Sequence, residues 1–294
     1  MTVLGKRVEI DLDNIVLATD FSSTAEKASL YAQSLARRYR AMVHLVHIVD
    51  ISQLAKAPDA GISIDICRKF GEDRLQEMKA SFLSEKIHAA SSLREGIDPA
   101  EEIVQISKES KADLIVVGTE GRTGLSRLAL GSIARRIIHH AACPVLTVGP
   151  AVEPPPQVLT FRRIVYATDF SPEAVKAAVY AFSFAQDGGA HIYLCHVLPE
   201  TDHMHRVEDK KLTEEFMHSL ETMIPDISRE WCEPECVLEY GRAADGILLL
   251  AQRVDADLIV LGTRSVSHWF DNFKAGIAFE VIRSSKCPVL TIRG

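Results

Sequence analysis

The residues best suited to do chemistry lie in the first half of the 294-residue chain. The run Gly118-Thr-Glu-Gly121-Arg-Thr-Gly124-Leu-Ser-Arg-Leu-Ala-Leu-Gly131-Ser132 has glycines and a serine spaced G-x2-G-x9-G-S. Glycine lets a backbone turn through positive φ and approach an anion with no Cβ in the way. A helix is expected from Ile133 onward. Gly131 and Ser132 then fall where unpaired N–H groups and the positive end of the helix dipole meet a phosphate. Ser132 adds a hydroxyl donor, and Arg122, Arg127, Arg135 and Arg136 against Glu120 leave the segment locally positive. Asp20 is the one obvious carboxylate for catalysis, but Thr19 and Phe21 flank it rather than acidic metal-binding neighbours. With no Walker-type lysine and no histidine-based triad, binding is favoured over efficient hydrolysis, which needs a placed metal, an oriented water and charge stabilisation.

These residues need a scaffold, and the chain supplies one twice. Asn14–Ser22 (NIVLATDFS) recurs as Arg163–Ser171 (RIVYATDFS), identical at seven of nine positions. Ala112–Thr119 recurs as Ala256–Thr263, and Ala142–Val148 as Lys286–Ile292, in the same order and at nearly the same offset. Ordered blocks at near-constant spacing are a duplication. The chain divides into a first domain over 1–149, a linker over 150–161 that the prolines of GPAVEPPPQ stiffen, and a second domain over 162–294. In the first copy short apolar runs at Ile15–Thr19, Val43–Val49, Ala89–Arg94, Leu114–Val117 and Val145–Val148 predict strands. Between them fall helices, opened by a Ser23/Glu26 capping box, by Asp98-Pro99 with Glu101 and, in the second copy, by Ser171-Pro172. Five βα units with apolar central strands imply an α/β fold, a five-stranded parallel sheet flanked by helices in each copy. Such open sheets bind ligands beyond the carboxyl ends of the strands, where strand order reverses. Asp20 and Gly118, with Asp169 and Gly262 in the second copy, are therefore the first positions to consider.

The G-x2-G-x9-G-S run, the strand-one aspartates Asp20 and Asp169, the strand-two pairs His47-Ile48 and His196-Val197, and the terminal CPVL strands together resemble the universal stress protein family, in its tandem form. The resemblance spans nearly the whole chain and implies two Rossmann-like domains of the adenine nucleotide alpha hydrolase-like type. It also implies ATP as ligand, with Mg2+ as a companion ion. By that likeness Asp20 and the main chain of Ile48 meet the adenine-ribose end, Gly118 lies near the ribose, and Gly121, Gly131 and Ser132 take the phosphates. In that family the last strand lies at the sheet edge, so Val145–Val148 and Val289–Ile292 are expected to pair in an intramolecular pseudo-dimer. A further homodimer of whole chains is left open.

The second copy departs from the motif. Ser265 replaces the second glycine, Ala275-Gly276 stands for Gly131-Ser132, and Trp269, Phe270, Asp271 and Phe273 add bulk and negative charge. A degenerate site is expected there, with Asp169 retained. Charge is divided the same way: residues 1–150 hold 19 basic and 19 acidic residues, residues 151–294 hold 14 and 21. The net charge of −7 speaks against nucleic acid as a partner, since phosphate neutralisation needs clustered Lys and Arg. No apolar run of membrane-spanning length and no signal-peptide core is read, so a cytoplasmic protein is expected, where six cysteines stay reduced. Cys232-x3-Cys236 reads more simply as two unrelated thiols than as half a zinc site. The function implied is an ATP-binding stress-response or signalling protein whose nucleotide occupancy alters its conformation or partners. A slow ATP hydrolase and a nucleotide-independent scaffold are the alternatives.

Overall fold

The computed structural model describes residues 10–52, 63–119, 130–200, 206–263 and 276–294, with backbone alone for 206–209. It contains two bodies, Asp11–Leu159 and Thr160–Gly294, the second including Ile10. The first runs β1 (Asn14–Ala18), α1 (Ser23–Tyr39), β2 (Met42–Asp50), α2 (Ile64–Ser84), β3 (Ala89–Gly96), α3 (Pro99–Glu109), β4 (Leu114–Gly118), α4 (Ser132–His140) and β5 (Val145–Val148). The second repeats it as β6 (Arg163–Ala167), α5 (Pro172–Gly188), β7 (His191–Leu198), α6 (Arg206–Met223), a 3-10 turn (Asp226–Glu230), β8 (Glu233–Tyr240), α7 (Ala243–Arg253), β9 (Leu258–Thr263), α8 (Ile277–Ser284) and β10 (Val289–Arg293).

The strands are parallel and ordered β3-β2-β1-β4-β5 in the first body and β8-β7-β6-β9-β10 in the second. The order reverses between β1 and β4, and between β6 and β9. Ile15, Val16, Leu17, Ile115 and Val116 are fully buried, as a strand covered on both faces requires. Right-handed crossovers send α1 and α2 to one face and α3 and α4 to the other. Alanines 25, 28, 32 and 36 give α1 a small-residue stripe at helical spacing, all buried, which lets it lie close on the sheet. The outer strands β3 and β8 carry the charges Arg94, Glu95, Glu233, Glu235 and Glu239, together with Pro234, features that suit a sheet edge. Among the described residues no helix is long and apolar enough to cross a membrane.

The caps differ from expectation at one place. Ser22, not Ser23, is the N-cap of α1, accepting the Ala25 N–H at 3.3 Å. The chain already bends one residue earlier, where the Ser22 N–H donates to Asp20 Oδ1 at 3.0 Å. Ser171 caps α5 as expected, with Pro172 in the first turn, and Asp98 caps α3.

The proline-rich segment after β5 is not a bare tether. Along one face of α1, Lys27 Nζ donates to the carbonyls of Pro150 (2.6 Å) and Val152 (3.0 Å), and Tyr31 to that of Glu153 (3.0 Å). Further along, Ser34 donates to Pro156 O (2.6 Å) and Arg37 to Gln157 O (2.9 Å). Prolines offer carbonyls and no N–H, so a helix face bearing side-chain donors is the partner such a segment needs. Val152 and Leu159 are buried beneath it.

Candidate functional site

At the reversal point of the first sheet the chain leaves β1 through Thr19-Asp20-Phe21-Ser22. Thr19 N–H still pairs with Val46 O of β2 at 2.9 Å. The chain then turns sharply, with Phe21 in the left-handed region at φ 62°. A non-glycine residue there is uncommon and is held by neighbouring bonds. Phe21 N–H donates to Thr19 Oγ1 at 3.0 Å, and Ser22 N–H to Asp20 Oδ1. Asp20 thus sits at the switch point beside the end of β4, as expected, with one carboxylate oxygen tied to its own turn.

Ile48 lies on β2 where that strand outruns β1. Met42 N–H and Val46 C=O bond toward β1 while Val43 N–H bonds toward β3. Alternation along a strand therefore aims the main-chain N–H and C=O of Ile48 at the side that β1 has left.

Gly118 ends β4, and its missing Cβ is required by packing. A Cβ there would stand 2.8 Å from Ala25 N and Thr24 C in the first turn of α1. Gly131 approaches the same region: its N–H donates to Thr119 O at 2.8 Å, and a Cβ would lie 3.0 Å from that oxygen. The start of α4 is thereby seated on the residue following β4. Ser132 opens α4 and is exposed. Gly121, with Glu120, Arg122, Gly124 and Arg127, lies outside the described residues. Of the expected basic side chains, Arg136 is not available to a ligand as a free charge. Its guanidinium grips both oxygens of Asp98, tying α4 to the N-cap of α3.

The second body repeats the turn closely. Phe170 has φ 60°, its N–H donates to Thr168 Oγ1 at 2.9 Å, and Ser171 N–H donates to Asp169 Oδ1 at 3.0 Å. Gly262, the next-to-last residue of β9, is under still tighter packing, a Cβ falling 2.5 Å from Ala174 N and Glu173 C. Gly276 caps α8, and among the described residues the nearest side-chain atom to its Cβ, Phe279 Cδ2, would be 4.0 Å away. Ser265, Trp269, Phe270, Asp271, Phe273 and Ala275 lie outside the described residues.

Two residues packed against these turns had a visible signal in the sequence and no assigned role. His47 and His196 recur before the apolar residue of the second strand, and in the structure each ring Nδ1 sits 2.8 and 2.7 Å from Thr19 O and Thr168 O respectively.

The fold and the site define a tandem doubly wound α/β protein with a switch-point aspartate in each copy. The family model for the universal stress protein family matches residues 12–149 and 160–293. The chain belongs to the universal stress protein family. A universal stress protein of Methanocaldococcus jannaschii is 39% identical over 139 residues, 46% of this chain and 80% of its own length. One from Thermus aquaticus is 31% identical over 144 residues, 46% of this chain and 96% of its own. Each spans about one copy. Among solved structures, a universal stress protein from Archaeoglobus fulgidus matches across both copies, with TM-score 0.70, 96% and 98% coverage of the two chains and 21% identity. At that identity the likeness shows the fold.

Proposed function

We propose that the first copy binds ATP at the β1/β4 switch point and that the protein acts through its nucleotide occupancy, on conformation or partners, rather than by efficient turnover. The observation that carries this reading is the seating of the α4 N-terminus on Thr119 beside the Asp20 turn, with Gly131 N–H 2.8 Å from Thr119 O. Helix N–H groups and the dipole then serve phosphate, the exposed Ser132 hydroxyl adds a donor, Asp20 takes the ribose side, and Ile48 main chain takes the base. Mg2+ would arrive with the phosphates. Titration calorimetry with ATP tests it: binding by the wild type, lost in Asp20→Ala and weakened in Ser132→Ala, is expected. Wild-type affinity in both variants would overturn the assignment. Gly131→Val is the poorer probe, because its Cβ also presses on Thr119 O.

Turnover of labelled ATP no faster than that of an Asp20→Ala variant is expected of a sensor; dependence on Asp20 would make the protein a slow hydrolase. The duplication further supports a pseudo-dimer of the two copies, for which separately expressed halves should associate on mixing. Six free thiols support a reducing, cytoplasmic setting.

A further inference from the structure

Each switch-point turn is built against a histidine. His47 Nδ1 lies 2.8 Å from Thr19 O and His196 Nδ1 2.7 Å from Thr168 O. A carbonyl oxygen only accepts, so both rings carry their proton on Nδ1. The imidazole is also clamped through its faces. Phe21 packs on His47 with centroids 4.6 Å apart, and Phe170 on His196 at 4.8 Å, with nearly the same tilt, 42° and 48°.

The helix after the second strand adds to this packing in each copy. In the first, α2 presents Gly71, where an added Cβ would fall 2.8 Å from His47 Cδ2 and 2.6 Å from Leu93 Cδ1. Glycine is a poor helix former, so its place inside α2 reflects this close approach. Phe70, next to it, meets Phe21 edge-on at 5.9 Å. In the second, Phe216 of α6 stacks on His196 at 4.6 Å and on Phe170 at 5.8 Å. Glycine against the ring in one copy and phenylalanine in the other leave the hydrogen bond to the threonine carbonyl unchanged.

We infer that His47 is a positioning residue for Asp20, an inference that rests on the ATP reading of the first copy. The Nδ1–H fixes the peptide between Thr19 and Asp20. Thr19 is buried, and a buried carbonyl deprived of its donor is costly. Without the imidazole that peptide rotates to find another partner, releasing Phe21 from its left-handed conformation and swinging the Asp20 carboxylate away from the ligand.

The test has two readouts on the full chain. Ring 15N shifts of the wild type should show His47 and His196 in the Nδ1–H tautomer; an Nε2–H tautomer at His47 overturns the inference. ATP affinity should fall at least tenfold in His47→Ala and recover most of that loss in His47→Asn, whose amide N–H lies near the Nδ1–H position. His44→Ala, on the same strand with its Nε2 3.2 Å from Asn14 Oδ1, should change affinity less than twofold. Equal weakening by Ala and Asn would reduce His47 to a packing residue and overturn the inference, as would wild-type affinity in His47→Ala. If the wild type binds no ATP, the functional reading fails by itself. The latch is then judged by the Asp20 and Phe21 amide shifts, which must move in the Ala variant and return in the Asn variant.

Discussion

The two copies keep one turn and diverge at one helix start. Thr-Asp-Phe-Ser closes with the same hydrogen bonds in both, Phe21 and Phe170 share a left-handed backbone within two degrees, and a histidine holds each threonine carbonyl. At the helix after the fourth strand, Gly131 N–H is seated on Thr119 O and Ser132 opens the helix, whereas Gly276, in the place of Ser132, caps α8. Gly276 brings no hydroxyl there. A turn retained where the phosphate motif has lapsed must serve the fold as well as any ligand. The helix start is where the copies can differ in function.

The largest effect should come from Gly118 and Gly262, at the carboxyl ends of β4 and β9. Backbone atoms of α1 and α5 stand 2.8 and 2.5 Å from their would-be Cβ positions, and a helix backbone cannot rotate aside as a side chain can. Overpacking of this kind costs about 1–3 kcal/mol. Urea unfolding should show Gly118→Ala and Gly262→Ala both destabilised, with Gly262→Ala the worse. A neutral Gly118→Ala that nonetheless loses ATP would break the symmetry and return that glycine to the ligand.

Alkali should expose the second shared feature. Burial pushes the thiols of Cys143 and Cys287, at equivalent places before the last strand of each copy, up to about 11 from an ordinary value of 9.0. Between those values the unfolded chain releases a proton that the folded chain retains, so stability falls as pH rises. The contribution is whole below about pH 9 and gone above about 11. Each thiol adds up to roughly 1.4 kcal/mol of loss per pH unit in that window. Replacing either with alanine should flatten the fall by a similar amount in both copies; a flattening confined to one would show that their burial differs in solution.

The sequence made the α/β architecture, the duplication and the switch-point position legible, because apolar strand runs and repeated blocks report burial and copying directly. Val145–Val148 was predicted to the residue, and Asp98 and Ser171 were correctly expected as caps. What it hid depends on three-dimensional closeness. The cap at Ser22 rather than Ser23 follows from the Asp20 bond, the ion pair that removes Arg136 from the basic set spans 38 residues, and the packing need at Gly118 comes from α1. The linker's docking along α1 was equally hidden, since prolines signal extension and say nothing of what accepts their carbonyls.

Ser132→Gly, which copies the second body into the first, sharpens the comparison at the helix start. Losing one hydroxyl donor to a charged phosphate should cost about 1.5 kcal/mol or more, tenfold or more in ATP affinity. Titration of the wild type should find one strong site per chain. Two equal sites would mean that neither the hydroxyl nor the seating of Gly131 distinguishes the copies.

The smallest difference concerns a pair of serines at equivalent positions of the first helices, both buried. Ser34 donates its hydroxyl to Pro156 O at 2.6 Å, and Ser183 accepts the N–H of Ile10 at 3.0 Å. The same residue type on the same helix face thus works as donor in one copy and acceptor in the other, since a hydroxyl can do both. Ser34→Ala removes one of five side-chain bonds to the linker. Pro156 is exposed, so water can replace the lost donor and the cost should stay near 0.5–1 kcal/mol. Ser183→Ala should cost a similar or smaller amount, because Ile10 is partly exposed and its N–H can also turn to water. Urea unfolding of the two variants beside Tyr31→Phe measures this. If Ser183→Ala is silent while Ser34→Ala and Tyr31→Phe each lower stability, the linker is held by its helix and the segment at Ile10 is not.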